Sequence, residues 1–145
     1  MPDCMAPDFL PVALGSVLKT IHKKQNEVLK PYGLSSLHAL YLMLLYDNEQ
    51  GMTMKSLNER IVVDKSNTSR AVASLEEKGY ALRRMVDQEG GKWYVYLTEQ
   101  GKKAARASRE GMQRIVEALQ GGMSLDEQNV LRSVLEKLFR ACEVI

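Results

Sequence analysis

The chain has 145 residues, 45% of them hydrophobic and 26% charged, and a net charge of +2. That is enough for one domain with a real core and too little for two independent ones. The near-neutral balance excludes bulk polyelectrolyte binding, so any contact with nucleic acid must come from where charge is placed. Between Lys55 and Lys92, eight bases stand against six acids. The two cysteines, Cys4 and Cys142, lie at opposite ends without metal-ligand spacing, which fits a reducing, cytoplasmic setting.

The apolar run Phe9 to Leu18 is too short to span a membrane. The residues before it hold Asp3 and Asp8 and no base, unlike the leader of a signal peptide. It is expected to open a first helix, capped by Asp8 with Pro11 in its first turn, and Pro31-Tyr32-Gly33 end it. Ser35 or Ser36 caps a second helix carrying Leu37, Leu40, Tyr41, Leu44 and Leu45 to about Asp47. After a turn around Gly51, Thr53 caps a short third helix with Met54, Leu57 and Ile61 at helical spacing.

The fourth helix lies in Asp64 to Tyr80, DKSNTSRAVASLEEKGY, with Gly79 suited to a left-handed cap. At 100° per residue, Thr68, Ala71, Val72 and Leu75 share one side. Ser66, Ser69, Arg70, Ala73 and Glu77 share the other, flanked by Asn67 and Ser74. The first half of that outer side carries short hydrogen-bonding groups and one arginine. Such a surface can lie against base edges and phosphates, although a solvated helix face has the same composition. The third and fourth helices, tightly joined, form a helix-turn-helix.

Tyr80 to Val86 and Trp93 to Leu97 change to a strand period and flank DQEGGK, a hairpin with Gly90-Gly91 at its tip. Arg83 and Arg84 lie on its first strand and Lys92 just beyond its tip. Thr98 caps a long helix over 99–120 with thin apolar content. Ser124-Leu125-Asp126-Glu127 is a capping box opening a last helix, with Leu131, Val134, Leu135, Leu138, Phe139 and Cys142 on one stripe. A small central unit cannot cover the apolar faces of the first and last two helices. Packing against a symmetry mate is the expected use, with Cys142 in the core.

This order of elements, with SNTSRAVASLEEKGY, then RR, then YLTEQGKK, resembles the MarR family of winged helix-turn-helix transcription regulators. The resemblance covers about residues 9–139. It implies a mainly α fold with a small β-hairpin wing, in a single MarR-like domain over 1–145. The winged-helix core would occupy about 35–98 and the dimerisation helices about 8–30 and 99–145. It further implies a homodimer on pseudo-palindromic double-stranded DNA, usually a repressor, and in many members a small lipophilic or phenolic effector. Carried over position by position, Arg70 falls where the family has an arginine facing DNA. Lys65, Ser66, Asn67 and Ser69 fall beside it, and Arg83 matches the basic residue of the first wing strand. The family's wing-tip aspartate and minor-groove arginine fall on Glu89 and Gly91. The arginine is therefore absent, with Lys92 next to it and Asp87 two residues before Glu89.

Other chemistry has little to stand on. His22 and His38, the only histidines, sit without a nucleophile and base around them, so catalysis is not expected. Two His and two Cys offer few soft metal ligands; no metal or cofactor is expected, and His38 reads as a satisfied core residue. Tyr32, Tyr41 and Met43 could line a ligand pocket, but such residues at helical spacing also read as core. Two alternatives stay open: a winged-helix interaction module that does not touch DNA, and a thiol- or metal-responsive regulator of the same fold.

Overall fold

A computed structural model describes residues 1, 3–61, 67–86 and 90–145, and the helical backbone of 65 and 66. Among them are six α-helices and one antiparallel hairpin: α1 (Phe9–Leu29), α2 (Ser36–Asp47), α3 (Met54–Arg60), α4 (Lys65–Glu77), β1 (Ala81–Val86), β2 (Lys92–Leu97), α5 (Glu99–Gln120) and α6 (Leu125–Cys142). The chain divides into two units, Met1–Met112 and Gln113–Ile145, with α5 running from the first into the second.

In the first unit, α1 ends in a 3-10 turn, Lys30–Tyr32, closed by Gly33 in the left-handed region at φ 68°. Asp8 departs from its expected role. Its backbone is helical (φ −88°, ψ −3°) and its side chain makes no cap, because a preceding turn already delivers the chain in helical geometry. The core gathers Leu29, Tyr41, Leu42, Leu45, Leu57, Val72, Leu75 and Val95, all essentially fully buried. In α2 the buried face is Ala39, Tyr41, Leu42 and Leu45, while Leu37 and Leu40 are exposed, contrary to the expected stripe. The segment SLHALYLMLLY is apolar on every side, so its period does not select a face. Tyr41 and Tyr32, which could line a pocket or serve the core, do the second. Tyr41 is fully buried, its hydroxyl 3.1 Å from that of Thr68. Tyr32 accepts a 2.7 Å hydrogen bond from Tyr80 at its carbonyl and meets that ring edge-on.

β1 and β2 pair from Ala81 opposite Leu97 to Val86 opposite Lys92. Met52 adds a third rung: its N–H donates to Val95 O at 3.1 Å and Val95 N–H returns to Met52 O at 2.8 Å. This bridge places the start of α3 directly against β2. Gly51 makes it possible, since its φ is +84° and a Cβ would meet the Tyr96 ring at 2.7 Å.

The Leu97-Thr98-Glu99-Gln100-Gly101 run is a lock between α4 and α5. Thr98 Oγ1 donates to Gly79 O at 2.6 Å and accepts from Gly101 N–H at 3.1 Å. A Cβ on Gly101 would collide with the Tyr80 carbonyl. Further along α5 the buried positions are Ala104, Ala105, Ser108, Gly111 and Ile115, all but the last of them small, and a Cβ on Gly111 would meet Val28 at 2.6 Å. The thin apolar content of this helix is thus a stripe of small residues built for close approach.

In the second unit, Ser124 caps α6 by accepting from Glu127 N–H at 3.1 Å. α6 buries no residue, and Val134, Leu135 and Phe139 are exposed. Cys142, expected in the core, is therefore exposed, as is Cys4.

Candidate nucleic-acid interface

The outward face of α4 is defined by what the inward face does. Thr68, Ala71, Val72 and Leu75 are buried as the spacing predicts. Two hydrogen bonds tie this helix to α2. One is the buried Tyr41–Thr68 pair. The other runs through His38, whose Nδ1 accepts from Ser35 N–H at 3.1 Å. A neutral ring in that role carries its proton on Nε2, which faces Ser74 Oγ at 3.2 Å and donates to it. Burial holds the His38 pKa below its ordinary value, and the Lys78 charge lowers it further. The neutral, two-bonded ring is the form the fold selects.

The far end of α4 closes in a Schellman motif: Tyr80 N–H reaches Leu75 O at 2.8 Å and Gly79 N–H reaches Glu76 O at 3.0 Å, with Gly79 at φ +80°. Thus the inner side and the far end of α4 are fixed. What remains outside is Ser69, Arg70, Ala73 and, at the far end, Glu77, all exposed, with Asn67 half-buried beside them. Arg70 also engages in an intramolecular interaction, so a DNA contact would exchange one partner for another. The side chains of Lys65 and Ser66 lie outside the described residues, although both belong to the first turn of α4.

On the hairpin, Arg83 Nε donates to Glu76 Oε1 at 2.8 Å, joining the first wing strand to α4. At roughly one-third exposure this pair contributes at most about 1 kcal/mol, and its main effect is to set the angle between wing and helix. Lys92 is exposed at the start of β2. Asp87 and Glu89 lie outside the described residues; Gly90 and Gly91 both take positive φ, 76° and 74°. Strand alternation puts Arg83, Met85 and Trp93 on one face and Arg84, Lys92 and Tyr94 on the other. The exposed Trp93 and Lys55, the latter on α3, were not singled out from the sequence; their common groove depends on the Met52–Val95 bridge, which no local pattern announces.

A three-helix unit with a fourth, outward-faced helix and a hairpin behind it is a winged helix-turn-helix. Residues 32–91 match the model of the MarR family. The HTH-type transcriptional regulator SarZ of Staphylococcus epidermidis is 34% identical over 84 residues, 58% of this chain and 56% of SarZ. The chain therefore matches little more than half the length of that relative. A MarR transcriptional regulator from Methanosarcina mazei has the same fold, with a TM-score of 0.82 at 24% identity over 97% of this chain and 94% of that one. So has a MarR-family protein from Listeria monocytogenes solved with a 26mer DNA, at a TM-score of 0.79 and 20% identity over 97% and 89%. Among the described residues, no helix is long and apolar enough to cross a membrane, and no cluster of three His, Cys, Asp or Glu could hold a metal ion.

Proposed function

We propose that the protein is a sequence-specific DNA-binding transcription regulator, acting as a homodimer in the cytoplasm and not as an enzyme. The observation that carries this reading is the outward face of α4, where Ser69, Arg70 and Ala73 stand exposed on a helix whose inner side and far end are braced. Short polar groups and one arginine on a rigid helix suit the major groove, where arginine can pair bidentately with guanine. Lys65, Ser66, Asn67, Arg83 and Lys92 would add base-edge and phosphate contacts around it.

Dimerisation is supported by the apolar surface of the terminal helices. Leu10, Leu14, Val17 and Leu18 of α1, and Val130, Val134, Leu135 and Phe139 of α6, are all exposed in the single chain. An exposed apolar stripe on each of these helices marks an interface. In the dimer the two α4 helices would stand about one helical turn of DNA apart, roughly 34 Å. The whole chain then works as one domain, 35–98 meeting DNA and 8–30 with 99–145 holding the dimer.

A small lipophilic or phenolic effector would act by changing that spacing. A cavity of about 1020 Å³ beside α1, lined by Leu18, Lys19, His22, Asn26 and Ser35 among others, offers room for it. Asn26 Oδ1 accepts from Ser36 N–H at 2.7 Å, so this wall adjoins the Ser35–His38–Ser74 chain that ends on α4.

The test is fluorescence anisotropy with the duplex flanking the protein's own gene, against a scrambled duplex, across a salt series. Selective binding whose affinity falls steeply with salt is expected. Equal, salt-insensitive affinity for both duplexes would favour the interaction-module reading.

A further inference from the structure

Trp93 is the only tryptophan in the chain and is 53% exposed. Opposite it in register stands Met85, 50% exposed. Two large apolar side chains held outward on a two-stranded ribbon gain nothing for the core. Their face is the one that, nearer the base of the hairpin, carries the buried Ala81 and Val95. The Met52–Val95 bridge draws the first turn of α3 up to that same face. Between them lies a groove of about 650 Å³, lined by Thr53, Met54, Lys55, Arg83, Gly91, Lys92 and Trp93.

The groove's chemistry is mixed in a particular way. Its apolar lining comes from Met54 and Trp93. Its charged lining residues are all cationic, and Lys55 and Lys92 make no ion pair among the described residues, whereas Arg83 is matched by Glu76. Gly91 leaves that end of the wall without a side chain. A free apolar peptide would gain nothing from the two unmatched lysines, and a free anion would leave Trp93 unused. A sugar-phosphate backbone uses both, offering phosphate oxygens to ammonium groups and an apolar deoxyribose face between them.

The geometry points to this groove as a seat for one DNA strand, with Trp93 laid along a sugar, Lys55 on the phosphate beside it, and Lys92, which faces the other side of the hairpin at the end of β2, reaching the next phosphate around the groove's edge. The inference rests on the DNA-binding reading above. It adds Lys55 and Trp93 to the contact surface, and it gives the wing a role that does not need an arginine in the minor groove. The wing then reads the course of the backbone and fixes the register of α4 in its major groove.

The sole tryptophan makes the test direct. A fluorescein-labelled duplex from the flank of the protein's own gene, and a scrambled duplex at low salt, are each titrated with the full chain. Label anisotropy reports binding, and acrylamide quenching of tryptophan emission reports the groove. Acrylamide access to Trp93 should fall several-fold in the complex. Lys55→Gln should lower the slope of log affinity against log salt by about 0.9. Lys24→Gln, the same charge change on α1, should leave the slope unchanged. Trp93→Ala should weaken binding several-fold on both duplexes, with Trp93→Phe restoring most of it. If anisotropy rises while Trp93 stays as accessible as in the free protein, or while Lys55→Gln binds like the wild type, the groove is not a DNA seat although the protein binds DNA. If neither duplex raises the anisotropy, the DNA-binding reading fails and this inference falls with it.

Discussion

The hydroxyl pair between Tyr41 and Thr68 fixes α4 onto α2, and its removal can be worked through quantitatively. Both residues are fully buried and their oxygens are 3.1 Å apart. Tyr41→Phe leaves the Thr68 hydroxyl without this partner in a site closed to solvent. Thr68→Val does the same to Tyr41 while keeping the side-chain volume. Each should cost about 1–3 kcal/mol, the penalty of an unmet buried polar group. The double variant removes both polar groups together, so its cost should fall short of the sum by about 1 kcal/mol or more. The assay is urea denaturation by circular dichroism, with protein concentration held fixed because self-association shifts apparent stability. A chain of this size has roughly 5–15 kcal/mol in hand, so all three variants should remain folded. Strict additivity, with the double variant losing the sum of the singles, would refute the claim that the two hydroxyls serve each other.

Three further outcomes follow from the same geometry. Arg70→Ala should cost roughly 1–3 kcal/mol on the cognate duplex and far less on a scrambled one, measured by anisotropy, if Arg70 reads a base; equal losses on both would make it a phosphate contact. Because the folded His38 pKa lies below its ordinary value, the folded state resists protonation there. Its contribution to stability is complete above about pH 6.5 and is lost as pH falls through the folded pKa; a melting series from pH 7.5 to 5 should therefore show a steeper decline in the wild type than in His38→Gln. Leu135 and Phe139 are exposed in the single chain, so charging them should barely affect an isolated protomer's fold. Leu135→Glu with Phe139→Glu should instead convert a sedimenting dimer to monomer, and an unchanged sedimentation coefficient would move the interface elsewhere.

The features legible in the sequence are those written in local period. α4 has an unambiguous 100° pattern, with Thr68, Ala71, Val72 and Leu75 inside, and they are buried. The hairpin follows from the switch to β-branched and aromatic residues around two glycines, and α5 from Thr98 and Gly121 at its two ends. Where the local signal is saturated, the reading slips: α2 is apolar all round, so its buried face includes Ala39 and Leu42 and leaves Leu37 and Leu40 outside. The α5 stripe was hidden because burial there is done mostly by alanine, serine and glycine, which contribute closeness rather than hydrophobicity, with Ile115 the one large buried residue described. Contacts between distant positions carry no local signature at all. His38 to Ser74 spans 36 residues, and the 2.6 Å pair of Arg109 with Asp47 spans 62. The groove under Trp93 belongs to this second class, since it exists only because Met52 and Val95 meet.

The central claim is that α4 presents a base-reading face twice, at a fixed separation. Selection of bound duplexes from a random 30-bp library by the full chain tests it most directly. The account predicts enrichment of a pseudo-palindrome whose half-sites lie about one helical turn apart, and loss of preference at one position per half-site when Arg70→Ala is used instead. A library that emerges without any enriched sequence, or enriched in a single unrepeated half-site, would contradict it.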